Sequence, residues 1–423
     1  MYRSFLDAAL IIGNQICKQA YWYDDSCNWM GKFITSTENR REIGYMALDS
    51  SIYSGTSGIA LFLAYLYKLT GQNKFFNTAK GAIRQALKYY DETEHEIRYG
   101  FYSGLVGVAF AAINISKVLK INELYEEGIH LLNTLYQSYK IGDHILDIIS
   151  GNAGAIPALL QIYNKWESEE KLYELAIKLG DELIKYSTRD WRGWSWNSHI
   201  NQVPKIRHNL TGFSHGAAGF GTALLELYAN TDNKEFLYGG MNAFRYENSW
   251  YNKKVSNWPD FRLPSSRDHH SFPVGIPYSN AWCHGAPGIG LSRLRGYQIL
   301  KKKKYLDDSN NSLKTSIKII TSTLNPKTIL KNHFDYSLCH GLTGVCETLL
   351  IADEIFETNS YSMLCKKVGK VGLNEFLEKG KEFHCGGPES GVPGLMLGLA
   401  GIGYFFLRLS SKEIPSLLLI TSN

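Results

Sequence analysis

Hydrophobic positions along the chain alternate between two kinds of helix-like segment. Residues 59–67 are apolar almost all round, which is the pattern of a helix that is buried on every side. Residues 74–87, which follow, place apolar side chains on one face and charged ones on the other. The alternation returns with residues 106–118 and 123–136. The pattern predicts inner helices, each followed by an amphipathic outer helix.

A Gly-x-x-Gly step opens each apolar segment. Glycine has no Cβ, so it suits a tight helix entry at a crowded barrel mouth. Together with an N-terminal helix in the outer ring, these steps predict an all-α fold, an (α/α)7 toroid in which seven inner and seven outer helices form a double-layer barrel. We expect a single domain over residues 1–423, and strand-like patterns only at 97–102 and 191–203. The steps begin at Gly55, Gly104, Gly151, Gly216, Gly285, Gly341 and Gly398.

Residues just before each step should converge, because the inner helices of such a barrel run in the same direction. For the first, second and seventh copies we expect packing and turn formation only. The two longest insertions, residues 189–209 and 252–280, are candidate lids or substrate-binding loops. The chemistry-bearing residues precede the other copies: Asp147 the third, His215 the fourth, Trp282, Cys283 and His284 the fifth, and Cys339 and His340 the sixth.

The fifth and sixth copies share the wording Cys-His-Gly-x-x-Gly. A thiol and an imidazole at the same place in two copies of one pattern indicate a metal site built across the repeat. Three or four such ligands with an open coordination position favour zinc, in a catalytic rather than a structural role.

Composition narrows the functional classes. The chain has 423 residues and a net charge of +5. This charge is small for the length, and a nucleic-acid-binding domain is typically strongly basic. Seven widely spaced cysteines do not indicate a disulfide framework, so we expect reduced thiols in a cytoplasmic protein. No stretch has the length and apolarity of a membrane span or the pattern of a signal peptide.

Taken together, the motifs resemble the lanthionine synthetase C-like (LanC-like) cyclases over essentially the whole chain. The wording around residues 282–290 and the Asn-Trp-Pro-Asp-Phe-Arg segment at 257–262 are most similar to the cyclase domain of class II lanthipeptide synthetases. The other matching motifs are Asp147 before Gly151, Ser214-His215-Gly216, Cys339-His340-Gly341, Pro393-Gly394-Leu395-Met396 and residues 398–403.

The resemblance implies a Zn²⁺ ion held by Cys283, Cys339 and His340. It also implies a reaction, in which a cysteine thiol of a peptide adds to a dehydroalanine or dehydrobutyrine of the same peptide and forms a thioether ring. The partner would be a dehydrated precursor peptide. Because the sequence has no dehydratase motif, a separate dehydratase would supply that peptide, or this chain would be a domain of a longer protein.

The resemblance further implies that His215 and Asp147 serve the proton transfers. His215 suits a general acid or base, because an imidazole titrates near neutrality. Asp147 could orient His215, or simply stabilise the start of a helix. His284 is a second candidate for proton transfer or for contact with the enolate, and Trp282 for a wall of the substrate pocket. Some members have arginine where this chain has Ser279.

Other functions fit the same residues. A LanC-like enzyme could add glutathione or another thiol to dehydrated residues in proteins, using the same zinc. A zinc-bearing scaffold could bind peptides without catalysis, and a helical-barrel hydrolase could hold an incidental metal. A glycosidase would need two facing carboxylates at the mouth, and the aligned positions offer only Asp147.

Overall fold

The computed structural model describes residues 4–37, 40–142, 144–166, 169–197, 208–262, 277–331, 335–385 and 392–422. Fifteen α-helices are formed within this part of the chain. They are α1 (Phe5–Lys18), α2 (Thr56–Thr70), α3 (Asn73–Lys88), α4 (Leu105–Leu119), α5 (Asn122–Ser138), α6 (Asn152–Trp166), α7 (Glu170–Lys185), α8 (Ala217–Thr231), α9 (Lys234–Ser249), α10 (Ala286–Leu300), α11 (Lys303–Thr323), α12 (Pro326–Lys331), α13 (Leu342–Ile355), α14 (Ser362–Val371) and α15 (Leu399–Ser410).

The helices form two concentric layers. Helices α2, α4, α6, α8, α10, α13 and α15 are the inner ring, and each packs against the next helix of that ring. Each of the first six also packs against an outer helix that follows it in sequence, while α15 packs against α1. The first helix of the chain therefore completes the outer ring, and the prediction of an all-α double-layer barrel is confirmed.

Burial separates the two layers as the hydrophobic pattern predicts. In α2, every residue from Thr56 to Leu66 is buried. In α3, buried residues such as Phe75, Ala79 and Ile83 lie on one face. The inner helices are apolar all round because protein surrounds them on every side, whereas an outer helix has one face toward solvent.

The Gly-x-x-Gly steps all lie at the N-terminal ends of inner helices. The first glycine is the N-cap residue of six of them, and Gly151 directly precedes α6. Gly285 shows why glycine is needed there. Its φ is 96°, and a Cβ at this position would lie 1.8 Å from the carbonyl oxygen of Ser279.

Backbone hydrogen bonds join the turns before neighbouring inner helices into a ring. Among the described residues, six of the seven junctions have such a bond, and the junction between the turns at Cys283 and Cys339 has none. The bonds run from Tyr53 N to Tyr102 O (2.8 Å), Tyr102 N to Ile149 O (3.0 Å), Ile148 N to Ser214 O (3.0 Å), Ser214 N to Cys283 O (3.1 Å), Cys339 N to Met396 O (3.0 Å) and Met396 N to Tyr53 O (2.9 Å).

The C-terminal segment after α15 packs into the barrel. Its carbonyl oxygens accept hydrogen bonds from Tyr102 (2.6 Å, to Leu417) and from the indole of Trp282 (3.0 Å, to Leu418). Leu417 and Leu418 are buried. These bonds satisfy polar groups that have no access to water, and they tie the segment to the turns at the mouth.

The strand predictions were largely wrong. Residues 97–102 form turns, because their backbone groups pair with the neighbouring mouth turn rather than with a strand. Of 191–203, the described part contains one short strand, and residues 198–207 lie outside the described residues. The structure has three antiparallel pairs: β1 (Tyr21–Tyr23) with β2 (Ser26–Asn28), β3 (Met30–Thr37) with β4 (Arg40–Ala47), and β5 (Thr188–Asp190) with β6 (Gly193–Ser195).

In the described part of the chain, no helix has both the length and the apolarity required to cross a membrane.

Candidate active site

The structure brings Cys283, Cys339 and His340 together. Both cysteines lie in the turns that open α10 and α13, and both are buried, whereas His340 is exposed. One ligand atom from each residue lies within 4.8 Å of the other two. Residues separated by more than fifty positions meet because the two inner helices are neighbours and begin at the same mouth.

The donor set fits a zinc ion. Zinc–sulfur distances of about 2.3 Å and zinc–nitrogen distances of about 2.0 Å in a tetrahedron place ligand atoms roughly 3.5–4 Å apart, close to the observed spread. It is the one cluster of three potential metal ligands among the described residues. Two thiolates and one imidazole leave a fourth tetrahedral position for a substrate group.

The two thiols differ in their ionisation. Hydrogen bonds from Cys339 and His340 hold the pKa of Cys283 well below its ordinary value, although burial opposes them. Burial raises the pKa of Cys339 well above its ordinary value. The pair therefore shares one negative charge, and a divalent metal ion would displace the remaining thiol proton.

Tyr53 is a member of the site that the sequence interpretation missed. Its hydroxyl donates a hydrogen bond to the Cys339 sulfur at 3.2 Å. Burial raises the pKa of Tyr53, so the phenol keeps its proton and acts as a donor. Tyr53 precedes Gly55, and the prediction that the first copy serves packing alone was therefore wrong. The ring places this turn beside that of Met396, which is bonded to Cys339.

His215 and Asp147 form a close pair at the same mouth. The Nδ1 atom of His215 lies 2.6 Å from Oδ2 of Asp147. The other carboxylate oxygen accepts the backbone N–H of Ser150 at 2.8 Å. Asp147 therefore contacts both the imidazole and the turn that precedes α6, and its role in proton transfer stays a prediction. Burial by itself lowers the pKa of His215, but the Asp147 carboxylate outweighs it, and the net pKa lies above the ordinary value.

The turn that presents His215 is held from two sides. Buried Glu247 of α9 accepts the backbone N–H groups of Gly212 and Ala218 at 3.0 and 2.8 Å. The backbone N–H of Ser214 donates to Cys283 O. The imidazole is therefore fixed relative to the turn that contains the first cysteine.

His284 lies behind the site. Its side chain is fully enclosed, its Nδ1 lies 3.1 Å from the carbonyl oxygen of Thr211, and its ring centroid is 5.8 Å from that of His215. Burial lowers the pKa of His284 to about 4, so the ring is neutral near pH 7. A carbonyl oxygen can only accept, so Nδ1 bears the proton. Nε2 then has a lone pair and no hydrogen-bond partner among the described residues.

Trp282 is not in a pocket wall, which corrects the sequence interpretation. The indole is fully buried and packs against Tyr102 and Phe213. Its N–H is bonded to the C-terminal segment, whose position in the barrel could not be anticipated from the repeats. Trp282 is therefore a core residue in this structure.

The insertion before the fifth copy places a second unpredicted residue, Arg262, near the site. Residues 252–262 and 277–280 of this insertion are described, and residues 263–276 lie outside the described residues. Arg262 donates to both carboxylate oxygens of Asp260, which also accepts the hydroxyl of Ser279. The Oδ1 atom of Asp260 is 4.0 Å from Nδ1 of His284. The sequence predicts this segment as a lid or a substrate-binding loop, without assigning its individual side chains to the site.

Comparisons with known proteins identify relatives over most of the chain. The chain is 26% identical over 405 residues to the lacticin 481/lactococcin biosynthesis protein LcnDR2 of Lactococcus lactis subsp. lactis, matching 91% of this chain and 38% of that protein. It therefore spans less than half of that relative. It is 22% identical to the nisin biosynthesis protein NisC of the same organism, covering 84% of this chain and 86% of NisC. It is 21% identical to the glutathione S-transferase LANCL1 of Danio rerio, covering 70% and 68%.

Among solved structures, nisin cyclase superposes with a TM-score of 0.62 at 20% sequence identity, covering 88% of this chain and 90% of that one. A family 76 glycoside hydrolase superposes with a TM-score of 0.50 at 12% identity, which shows a shared helical-barrel fold. The family model described as "Lanthionine synthetase C-like protein" matches residues 46–419. The chain therefore belongs to the lanthionine synthetase C-like family.

Proposed function

We propose that this protein is a zinc-dependent lanthipeptide cyclase, which joins a peptide cysteine to a dehydroalanine or dehydrobutyrine of the same peptide. The proposal rests on one observation above the others. Two thiols and an imidazole meet at the barrel mouth next to a His–Asp pair. The relatives named for lacticin 481 and nisin biosynthesis support the same chemistry.

A zinc ion held by Cys283, Cys339 and His340 would bind and deprotonate the substrate thiol, whose own pKa of about 8.5 leaves it mostly protonated at neutral pH. Tyr53 orients Cys339 through its hydrogen bond. His215, kept protonated by Asp147, donates a proton to the α-carbon of the enolate that the addition produces. His284 is neutral near pH 7, so its role is positional and not that of a proton donor.

The peptide substrate distinguishes this function from its alternatives. The likeness to LANCL1 motivates a second candidate, in which glutathione or another small thiol is added to a dehydrated residue. A glycosidase needs two carboxyl groups for its reaction. Here Asp147 is paired with His215 and Asp260 with Arg262, so neither carboxylate is available for that role.

The wider setting is also a proposal. We infer that the substrate is a precursor peptide dehydrated by a separate enzyme or by another part of a longer protein. We further propose that residues 1–423 act as one cyclase domain in the cytoplasm.

A peptide with one dehydroalanine and one cysteine tests the reaction. Ring closure leaves the mass unchanged and removes the alkylatable thiol, whereas addition of glutathione increases the mass. Incubation with and without glutathione, followed by alkylation and mass measurement, separates the two functions. Persistence of the free thiol with no change in mass would contradict both.

Removal of one ligand tests the metal site. We expect Cys339→Ala to lose zinc and cyclisation together. Cys365→Ala is the matched control, because Cys365 is also a buried free thiol and it lies outside the cluster, with its hydrogen bond going to the carbonyl oxygen of Cys346 at 3.5 Å. Elemental analysis of both variants provides the measurement. A Cys339→Ala protein with full zinc content and activity would show that the cluster is not the metal site.

A further inference from the structure

Arg262 lies at the barrel mouth, where Asp260 holds its guanidinium. Its Nε and Nη2 atoms donate to the two oxygens of Asp260 at 3.0 and 2.7 Å, and its backbone N–H donates to Oδ1 at 3.1 Å. Asp260 is 6% exposed and also accepts the Ser279 hydroxyl at 2.5 Å, while its own N–H donates to the carbonyl oxygen of Pro277. A paired guanidinium held at two atoms has a defined orientation.

The guanidinium of Arg262 is partly exposed, unlike the carboxylate that holds it. Its side chain is 40% exposed, whereas that of Asp260 is 7% exposed. Arginine has five N–H donors, and only two of them are bonded to Asp260, so three remain without a partner among the described residues. The same Oδ1 atom that accepts from Arg262 Nε lies 4.0 Å from Nδ1 of His284. The arginine is thus next to the turn that contains Cys283.

The charge of Arg262 also acts on the site. It interacts electrostatically with both cysteines and with His215, His284 and His340. His215 is paired with Asp147, and its ring centroid is 5.8 Å from that of His284. The mouth therefore contains both a proton donor and a cation whose position is fixed by Asp260.

We propose that Arg262 is a catalytic residue that binds the carbonyl oxygen of the dehydrated residue and stabilises the enolate, and that Asp260 and Ser279 are its positioning residues. This inference rests on the proposed cyclase function. The acceptor is a carbonyl oxygen because a planar guanidinium offers parallel N–H donors and cannot give up its proton near neutral pH. It therefore stabilises charge without exchanging protons.

The step balances as follows. The cysteine sulfur, as a thiolate, forms a bond to the β-carbon of the dehydrated residue, and the π electrons of the double bond move through the α-carbon to the carbonyl oxygen. That oxygen becomes negative while Arg262 donates hydrogen bonds to it. The α-carbon then takes one proton from the imidazolium of His215, and the carbonyl reforms. The imidazole regains a proton from solvent, which balances the proton that the thiol released to solvent when it became a thiolate. No oxidant or reductant is needed.

Substitution of Arg262 measures the effect. We expect Arg262→Gln to lower kcat by about a hundredfold to a thousandfold, the usual loss when one donor to a developing oxyanion is removed. Zinc content should not change. Arg262→Lys should fall between, since it keeps the charge and loses the fixed fork of donors. Arg245→Gln is the control, because Arg245 is an exposed arginine of α9 whose one hydrogen bond within the described part of the chain goes to Trp191 O.

Two further measurements separate this role from a structural one. Guanidinium added at millimolar concentration should restore part of the rate of Arg262→Ala, which it could not do if the variant were misfolded. The deficit of Arg262→Gln should persist at high pH. If the rates of wild type and variant meet as pH rises, the arginine acts on the substrate thiol and the proposal is wrong.

Asp260→Asn provides the test of positioning. We expect it to lower kcat less than Arg262→Gln does and to leave guanidinium without effect, because the arginine is still present. Wild-type protein that does not consume the peptide thiol would reject the cyclase function itself. Wild-type protein that cyclises, together with an Arg262→Gln variant of equal rate, would reject only the role of Arg262.

Discussion

The two Cys-His-Gly turns have the same sequence, but the histidine of one is buried and that of the other is exposed. In the turn before α13, His340 is exposed and its side chain faces the thiol cluster. In the turn before α10, His284 is 1% exposed and bonded to Thr211 O. The difference comes from the neighbours. The turn at Cys283 is covered by the His215 turn and by the segment that contains Asp260, whereas His340 is exposed in the part of the chain that the structure describes.

The junction between these two turns is also the one that lacks a backbone hydrogen bond among the described residues. Elsewhere in the ring, an N–H and a carbonyl join adjacent turns. Here the two cysteine side chains lie between the turns instead. A metal ion bound by both would provide the connection that hydrogen bonds supply at the other six junctions. The repeat thus places the two turns side by side, and the cysteine side chains occupy the junction where the regular backbone hydrogen bond is missing.

The largest expected effect is the difference between the alanine variants of the two histidines. His340→Ala should lower zinc affinity by more than the ~10–100-fold that the loss of an outer-shell partner costs, and activity should fall with it. His284→Ala should keep one zinc per chain but destabilise the fold by about 1–3 kcal/mol, because the Thr211 carbonyl loses its partner in the interior. Zinc titration and thermal unfolding measure both. Equal zinc loss in the two variants would contradict the comparison.

A smaller effect is expected at the proton donor. His215→Ala should retain zinc and fold but slow cyclisation by about a hundredfold to ten-thousandfold, the usual contribution of a general acid. A time course of thiol alkylation measures the rate. His208→Ala is the matched control, because this histidine packs against Trp250 and Phe261 and lies outside the thiol cluster. A wild-type rate in His215→Ala would remove this residue from the mechanism.

Loss of the hydrogen bond from Tyr53 to Cys339 should have a smaller effect than loss of His215. Tyr53→Phe removes the donor and keeps the ring, so we expect zinc affinity to fall by about 10–100-fold, as for other outer-shell partners. Competition with a chelator measures the affinity. Tyr102→Phe is a suitable comparison, since its hydroxyl is bonded to the C-terminal segment and not to a thiol. Unchanged affinity in Tyr53→Phe would show that this bond does not tune the thiolate.

The smallest expected change is a shift in pH dependence. His215 must be protonated to act as an acid, so activity should fall as pH rises through its folded-state pKa. Asp147 raises that pKa against the lowering effect of burial. In Asp147→Asn the fall should therefore occur at lower pH than in the wild type. A pH–rate profile checks this, and an unmoved or upward-shifted limb would contradict the assigned roles.

Much of the architecture was predictable from local patterns. The alternation of fully apolar and amphipathic segments identified both helix layers, and the Gly-x-x-Gly steps identified the ends that meet at the mouth. The cluster of Cys283, Cys339 and His340 was also anticipated, because equivalent turns of neighbouring repeats lie side by side. These inferences succeed because helical periodicity and a glycine-dependent turn are properties of a few consecutive residues.

Other features depended on contacts between distant parts of the chain. Tyr53 reaches Cys339 because the barrel closes between its first and last inner helices. Arg262 is held at the mouth by Asp260, which is itself bonded to Ser279 at the other end of the irregular insertion. Trp282 is core because the C-terminal segment covers it. His284 and His340 have the same sequence context, so only the burial of one and the exposure of the other separates a neutral imidazole from a candidate metal ligand. Local sequence determined where each turn forms, whereas packing across the ring determined the charge and the accessibility of what each turn presents.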